Sequence, residues 1–397
     1  MKLAKRIGRI QASATMAMAA KAKVLKAEGV EIISFGLGEP DFETANVAAE
    51  AGIAAIHAGE TRYTPPAGTD ELKQAIIQKL KRDNGLDYTK KEIIVSCGAK
   101  HTLYNIAQVL FEKGDEVIIP APYWVTYPDQ ILLSGASPVI VHTKESDGFL
   151  MNPAALKAAL TPRTKGIIFN APSNPTGSIY TTTEYEAFSD ILIEADLCII
   201  SDEIYEKFLY DGASHTSIAT LNPALKAKTI VVNGVSKAYS MTGWRIGYAA
   251  GPEDVIQAMT KLQSQSTSNP CSVAQKASAA ALNNGEPFVS EMLDAFSERR
   301  RFMVETLNKI SGISCTLPPG SFYVFANVKD LLGLSHAKGV LKNTLDLATF
   351  LLEEGGVTTI PGEAFGAPGY LRLSFAASKD VLKRGLEKIQ NALAQLS

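Results

Sequence analysis

A chain of 397 residues, 46% hydrophobic along its whole length, is too long for one compact core and too apolar for a long disordered tail. Its net charge of −2 gives no basic excess for nucleic acid, and no apolar run is long enough to span a membrane. Cys97, Cys198, Cys271 and Cys315 form no CxxC pair and the five histidines are scattered, which argues against a disulfide framework and a zinc site.

At the start, Lys2, Lys5, Arg6 and Arg9 make a basic arm that runs into a helix ending near Gly29. The small-residue string at 12–20 lacks the larger apolar core of a secretion signal, so the expected compartment is the cytoplasm. A strand-like run at 32–37 leads into Gly36-Leu37-Gly38-Glu39-Pro40-Asp41-Phe42, where the glycines let backbone approach a neighbour closely. A helix at 47–58 precedes the breaker-rich loop at 61–68, which carries Tyr63, and a second helix spans 69–81 with Thr69 or Asp70 as its cap.

The strand at 92–97 ends in a small-residue turn, Gly98-Ala99-Lys100, that opens the helix 101–111. Free N–H groups and the helix dipole make such a turn an anion site. The strand at 115–120 runs into Trp124, one of only two tryptophans, placed where an indole can stack on a flat ring. Strands at 138–142 and 166–170 follow, the second entering Asn170-Ala171-Pro172-Ser173-Asn174-Pro175-Thr176-Gly177. A helix at 182–194 leads to the apolar strand 197–201, which Asp202 closes, with Tyr205 three residues on. A carboxylate in that position is costly unless paired. The β-branched run 229–233 and a strand at 244–250 flank Gly234-Val235-Ser236-Lys237, so Lys237 stands on a turn where burial would lower its pKa. Strands alternating with helices, with polar residues at the strand ends, predict an open, mostly parallel α/β sheet with its ligand at that edge.

After Pro252 the pattern is helical, broken by a polar loop at 263–270, and Arg299-Arg300-Arg301 reads as a solvated face of a helix running from 287 to 310. Strand pieces at 314–316, 322–326, 357–360 and 370–375 and helices at 345–354 and from 379 predict a smaller α/β domain. In Tyr370-Leu371-Arg372-Leu373-Ser374, Arg372 interrupts a strand and needs an anion to satisfy its fork. The expected division is an arm and part of the small domain at 1–46, a large domain at 47–290 and a small domain at 291–397.

The stretch from Gly234 to Gly247, with Ser236 before Lys237 and Arg245 eight residues after it, resembles the pyridoxal-phosphate attachment segment of class I and II aminotransferases, fold type I. The order Asn174, Asp202, Tyr205, Lys237, Arg245 is similar to that family's order and spacing. The resemblance implies pyridoxal 5′-phosphate as cofactor, joined to Lys237 as an internal aldimine, with the freed lysine then carrying a proton. It implies that Asp202 faces the ring nitrogen, that Tyr205 and Asn174 meet the ring oxygen, and that Trp124 stacks on the ring. It gives Arg245, with Gly98, Ala99, Lys100 and Ser236, to the phosphate. It assigns the substrate α-carboxylate to Arg372, Gly38 and Asn174, and expects a cis bond before Pro175. A homodimer with shared sites is implied, Tyr63 and the Ser268-Asn269 loop coming from the neighbour.

For the substrate, animal and enteric aspartate aminotransferases carry an arginine where this chain has Ser264. The chain looks instead like the bacterial and plant subgroup, to which Ser13-Ala14-Thr15 is similar and in which a lysine at the place of Lys100 reaches the distal carboxylate. The expected reaction is transfer of the amino group of L-aspartate to 2-oxoglutarate by a ping-pong route. Aspartate/prephenate or glutamate/prephenate aminotransferases and a lyase on the same scaffold stay open. A ligand-sensing regulator would need an added DNA-binding module, for which the first thirty residues are too short.

Overall fold

The structure is a computed structural model and describes residues 1, 3–10 and 14–397, without the side chains of 14 and 15. Lys2 of the basic arm and Ser13 of the Ser13-Ala14-Thr15 match lie outside the described residues.

Seven strands make the main sheet: β2 (Ile93–Ser96), β3 (Glu116–Ala121), β4 (Ser137–His142), β5 (Thr164–Asn170), β6 (Cys198–Asp202), β7 (Thr229–Gly234) and β8 (Gly247–Ala250). Their spatial order is β2-β8-β7-β6-β5-β3-β4, and only β8 runs antiparallel to its neighbours. The strands read Ile-Ile-Val, Val-Ile-Ile and Ile-Val-Val because helices cover both faces, which leaves no solvated side to alternate with. Residues such as Ile94, Val117 and Val232 form the core on one face, and Ile118, Ile167 and Ile199 form the core on another. The parallel strands β5, β6 and β7 therefore bring Asn170, Asp202 and Gly234 to a single edge.

A three-stranded antiparallel sheet, β13-β14-β9, is built from β9 (Tyr323–Asn327), β13 (Ile360–Pro361) and β14 (Tyr370–Ser374). Beside it β1 (Ile33–Ser34) pairs in parallel with β12 (Val357–Thr358), and a short hairpin joins β10 (Ser335–His336) to β11 (Gly339–Val340). The helices Glu286–Leu307, Thr344–Gly355 and Lys379–Leu393 pack on this part through Phe296, Phe350 and Leu386.

Several expectations change. The helix expected over 182–194 is two short ones, Thr182–Glu186 and Ser189–Glu194. The strand expected from 244 starts at Gly247, because Arg245 adopts a left-handed φ of 58° after a 3-10 turn, Thr242–Trp244. Cis bonds fall at Ala121–Pro122 and Ala171–Pro172 rather than before Pro175; every X–Pro bond meets the same sequence condition, so sequence alone could not choose. Arg300 is not solvated. It lies on the stripe of Phe296, Met303, Val304 and Leu307, is 1% exposed, bonds Asp211, and donates to the Pro318 carbonyl at 2.8 Å.

Behind β6 a polar network is buried. Glu203 accepts hydrogen bonds from Ser201 (2.8 Å) and Ser217 (2.6 Å) and contacts His215 Nε2 at 2.9 Å. Glu206 pairs with Lys79 of the helix Asp70–Asn84 and accepts from Asn84 Nδ2 at 2.8 Å. The donor atoms of Glu203, Glu206 and His215 lie within 4.8 Å of one another, a cluster hidden in a sequence whose histidines looked scattered, and Lys79, Asn84 and the serines engage the carboxylates. Lys79→Met leaves the buried Glu206 without its cation and costs about 3–5 kcal/mol. The check is a fall in the denaturant midpoint that Lys79→Met with Glu206→Gln largely restores; an unchanged midpoint in the single variant would count against the network.

Candidate active site

The strand edge opens into a cavity of about 370 Å³, within the size range of small-molecule sites. Lys237 follows β7 by three residues and reaches into it, its Nζ donating to the Gly38 carbonyl at 2.6 Å. Enclosure pushes this amine down to about 8; Glu39 opposes the shift, and Arg245, Arg372 and Lys100 add to it. At that value about a tenth of the lysine is neutral, and thus nucleophilic, at pH 7, far more than for an ordinary lysine.

Asp202 closes β6 with 2% exposure. Its carboxylate accepts from the Tyr127 hydroxyl at 2.7 Å and from the Ile204 N–H at 3.3 Å. Burial pushes its pKa up to about 6, and those two hydrogen bonds limit the rise. Tyr205, on the turn after β6, is buried with its hydroxyl 3.0 Å from that of Tyr323.

Arg372 of β14 enters from the smaller sheet. It donates to Asn174 Oδ1 at 2.9 Å and to the Gly36 carbonyl at 2.7 Å. Among the described residues no carboxylate pairs with it, and its Nε is buried without a partner. A buried guanidinium with an unfilled donor is arranged to receive an anion. The Asn174 amide oxygen thus faces Arg372, and its backbone N–H is held by Asn170 Oδ1 at 2.9 Å.

The fourth side is the start of the helix Ala99–Leu110, which has no side-chain cap. Gly98 turns into it at φ 90°, where a Cβ would meet the Arg245 guanidinium, and a Cβ at Gly247 would collide with the Ala99 N–H. The Gly98 N–H is taken by the Ser96 carbonyl at 2.7 Å, and Gly98 itself does not line the cavity, so Ala99 and Lys100 begin the free donors. Arg245 is anchored to the Thr242 carbonyl at 2.8 Å, with Ser236 beside it on the wall. Trp124 lies edge-on to Tyr127 at 5.4 Å, and the Lys100 amine sits 4.9 Å above the indole. Partial burial, then Arg245, lowers the Lys100 pKa.

The structure brings together Gly38, Ala99, Lys100, Trp124, Asn174, Asp202, Tyr205, Ser236, Lys237, Arg245 and Arg372. Tyr63 is 92% exposed and Tyr63, Ser268 and Asn269 stay outside the cavity wall of this chain. Tyr127, Tyr323, Asn170 and Thr242 line it although sequence reasoning passed them over. Tyr127 carried a usable signal, since it stands three residues after Trp124, in the first turn of the helix Thr126–Ser134, with its N–H bonded to the Trp124 carbonyl at 3.0 Å. Tyr323 carried none, being one aromatic in the run Phe322-Tyr323-Val324-Phe325.

A sequence model of the family described as "Aminotransferase class I and II" matches residues 30–389. The chain is 50% identical to an aspartate aminotransferase of Geobacillus stearothermophilus, over 98% of each chain. It is 46% identical to an aspartate/prephenate aminotransferase of Nitrosomonas europaea, over 99% of this chain and 100% of that one. The crystal structure of an aspartate aminotransferase from Rhizobium meliloti superposes with a TM-score of 0.96 at 43% identity, covering 100% of both chains.

The raised pKa of Asp202 ties stability to pH. The folded state holds this proton up to about 6, above the unfolded carboxylate value, so the group's favourable contribution is complete below about pH 4 and is lost as pH rises through 6. In cofactor-free protein Asp202→Asn removes that loss and stabilises by about 3 kcal/mol at pH 7, with no gain at pH 4. Chemical denaturation at the two pH values reads the difference; an equal effect at both would contradict the burial cause.

Proposed function

Because the chain belongs to the class I and II aminotransferase family, we propose that it moves the amino group of L-aspartate to 2-oxoglutarate, with pyridoxal phosphate held on Lys237. The observation that carries this reading is the meeting of the Lys237 amine, the buried Asp202 and the carboxylate-free Arg372 around one cavity.

The residues fit that cofactor by their donor chemistry. Arg245, Ser236 and the uncapped helix start at Ala99 suit the phosphate. Asp202 suits a ring nitrogen that carries a proton, since each charge stabilises the other, and Tyr205 offers a hydroxyl to the ring oxygen. The Trp124 indole suits a ring face. Bound pyridoxal phosphate supplies the electron sink for the bond broken at the substrate Cα.

The chain's own residues do the rest. Arg372, with Asn174 at its side, takes the α-carboxylate and fixes the amino acid so that its Cα–H faces Lys237. Lys237 Nζ, set free once the substrate amine takes its place, would accept the Cα proton; an amine tuned to about 8 is matched to that task. Lys100, above Trp124, is the cation for the second carboxylate, and the names of the relatives support a dicarboxylic substrate. Prephenate as a further acceptor rests on the name of the Nitrosomonas europaea relative.

The chain works in this reading as a cytoplasmic homodimer, with the arm (1–46), large (47–290) and small (291–397) regions of each copy and a neighbour's Tyr63 and Ser268-Asn269 loop completing each site. The exposure of Tyr63, together with exposed Ile53 and Ile56, supports such a contact, and the four free cysteines suit a reducing compartment. No helix among the described residues is long and apolar enough to cross a membrane.

Lys237→Ala lowers oxaloacetate formation from aspartate and 2-oxoglutarate on the order of 10⁴-fold. Retained turnover would remove the lysine from the chemistry, and release of ammonia and pyruvate by the unaltered enzyme from a β-substituted amino acid such as serine, without an oxo-acid acceptor, would mean a lyase. Lys100→Ala raises KM for aspartate by about 10- to 100-fold and leaves KM for alanine within about twofold. Equal effects on both substrates would take Lys100 away from the distal carboxylate.

A further inference from the structure

Tyr323 stands where the two halves of the site meet. It is 1% exposed, and its hydroxyl lies 3.0 Å from the Tyr205 hydroxyl. Its ring supports Arg372, whose guanidinium sits 4.3 Å above the ring centroid. The sheet register explains this second contact: Ser374 pairs with Tyr323 and Arg372 with Phe325, so Arg372 and Tyr323 are diagonal neighbours on one face. The strap at Gly38 closes over the hydroxyl, where a Cβ would collide with it.

Among the described residues each of the two hydroxyls has only the other as hydrogen-bond partner. Two neutral phenols have two protons and one bond between them, so one proton remains to be placed. If Tyr205 donated to Tyr323, it would have no proton left for the ring oxygen that the reading above assigns to it. If Tyr323 donates to Tyr205, the Tyr205 proton is free to point into the cavity that both residues line. Burial holds both phenols above their ordinary pKa, so both keep their protons at neutral pH. Arg372 over the ring favours Tyr323 as the donor of the pair.

We propose that Tyr323 is a positioning residue with two separable parts: its hydroxyl donates to Tyr205 and aims the Tyr205 proton at the cofactor's ring oxygen, and its ring seats Arg372 for the substrate carboxylate. The inference rests on the reading of Tyr205 given above. A donated proton at the ring oxygen stabilises the deprotonated form of the lysine-bound cofactor, so loss of the donor raises the pH at which the visible absorbance titrates.

The test is an absorbance titration of the holoenzyme, together with KM for aspartate, for Tyr205→Phe, Tyr323→Phe and Tyr323→Leu. Tyr205→Phe raises the midpoint by about one pH unit or more, and Tyr323→Phe raises it in the same direction by about half as much. Tyr323→Phe keeps the ring and leaves KM within about twofold, whereas Tyr323→Leu raises KM about tenfold. A midpoint that moves in Tyr205→Phe and not in Tyr323→Phe overturns the hydroxyl's role while leaving Tyr205 in place. Equal KM values for the Phe and Leu variants overturn the ring's role. A midpoint fixed in both Phe variants removes Tyr205 from the ring oxygen, and the inference falls with it.

Discussion

The cavity has more positive charge on its wall than its own carboxylate can balance. Lys100, Lys237, Arg245 and Arg372 line it, and among the described residues Asp202 is the one acidic side chain on the same wall. Like charges gathered on one wall are unfavourable, most of all for the buried Arg372 and the half-buried Lys237, since Lys100 and Arg245 stay exposed to solvent, and the protein answers in two ways. It lowers the pKa of the Lys237 amine, and it leaves Arg372 with a donor to spare. Both answers suit the occupants proposed above, a phosphate at the helix start and a carboxylate at Arg372. Burial does most to drive the proton off the lysine, and the neighbours that await anions add to it.

The fold supplies this arrangement through strand direction. Parallel strands place their C-terminal ends side by side, so a residue closing each apolar run arrives at a common edge without any loop having to fold back. Asn170 and Asp202 come from β5 and β6, and Lys237 from the turn after β7. The antiparallel β8 then returns beside β2 and carries Gly247 against Ala99, a contact that admits no side chain. Arg372 comes from the other sheet, so the residues proposed as carboxylate clamp and proton acceptor sit on separate cores joined across the cavity. The Gly36–Gly38 strap links them, accepting from Arg372 through one carbonyl and from Lys237 through another.

What could be read from sequence follows from this logic. Asp202, Lys237 and Arg372 are polar residues that close, follow or interrupt apolar β runs, and such residues stand out because burial is expensive for them. Strand cores were legible for the same reason, and their ends were misjudged by one to three residues where a backbone conformation rather than a composition decided, as at Arg245. Tyr323 was illegible because an aromatic inside a Phe-rich run looks like core until its hydroxyl is placed against Tyr205. Arg300 misled because three successive arginines suggest a solvated face, while the helix period puts the middle one inward. Gly98 was taken for a donor when the turn had already directed its N–H to Ser96.

The most direct measurement of this account is reduction of the resting protein with borohydride followed by peptide mapping. The account predicts a single pyridoxyl-bearing peptide that contains Lys237, with the surface lysines unmodified. A label on another lysine, or protein isolated with its cofactor and carrying no label at residue 237, would contradict it.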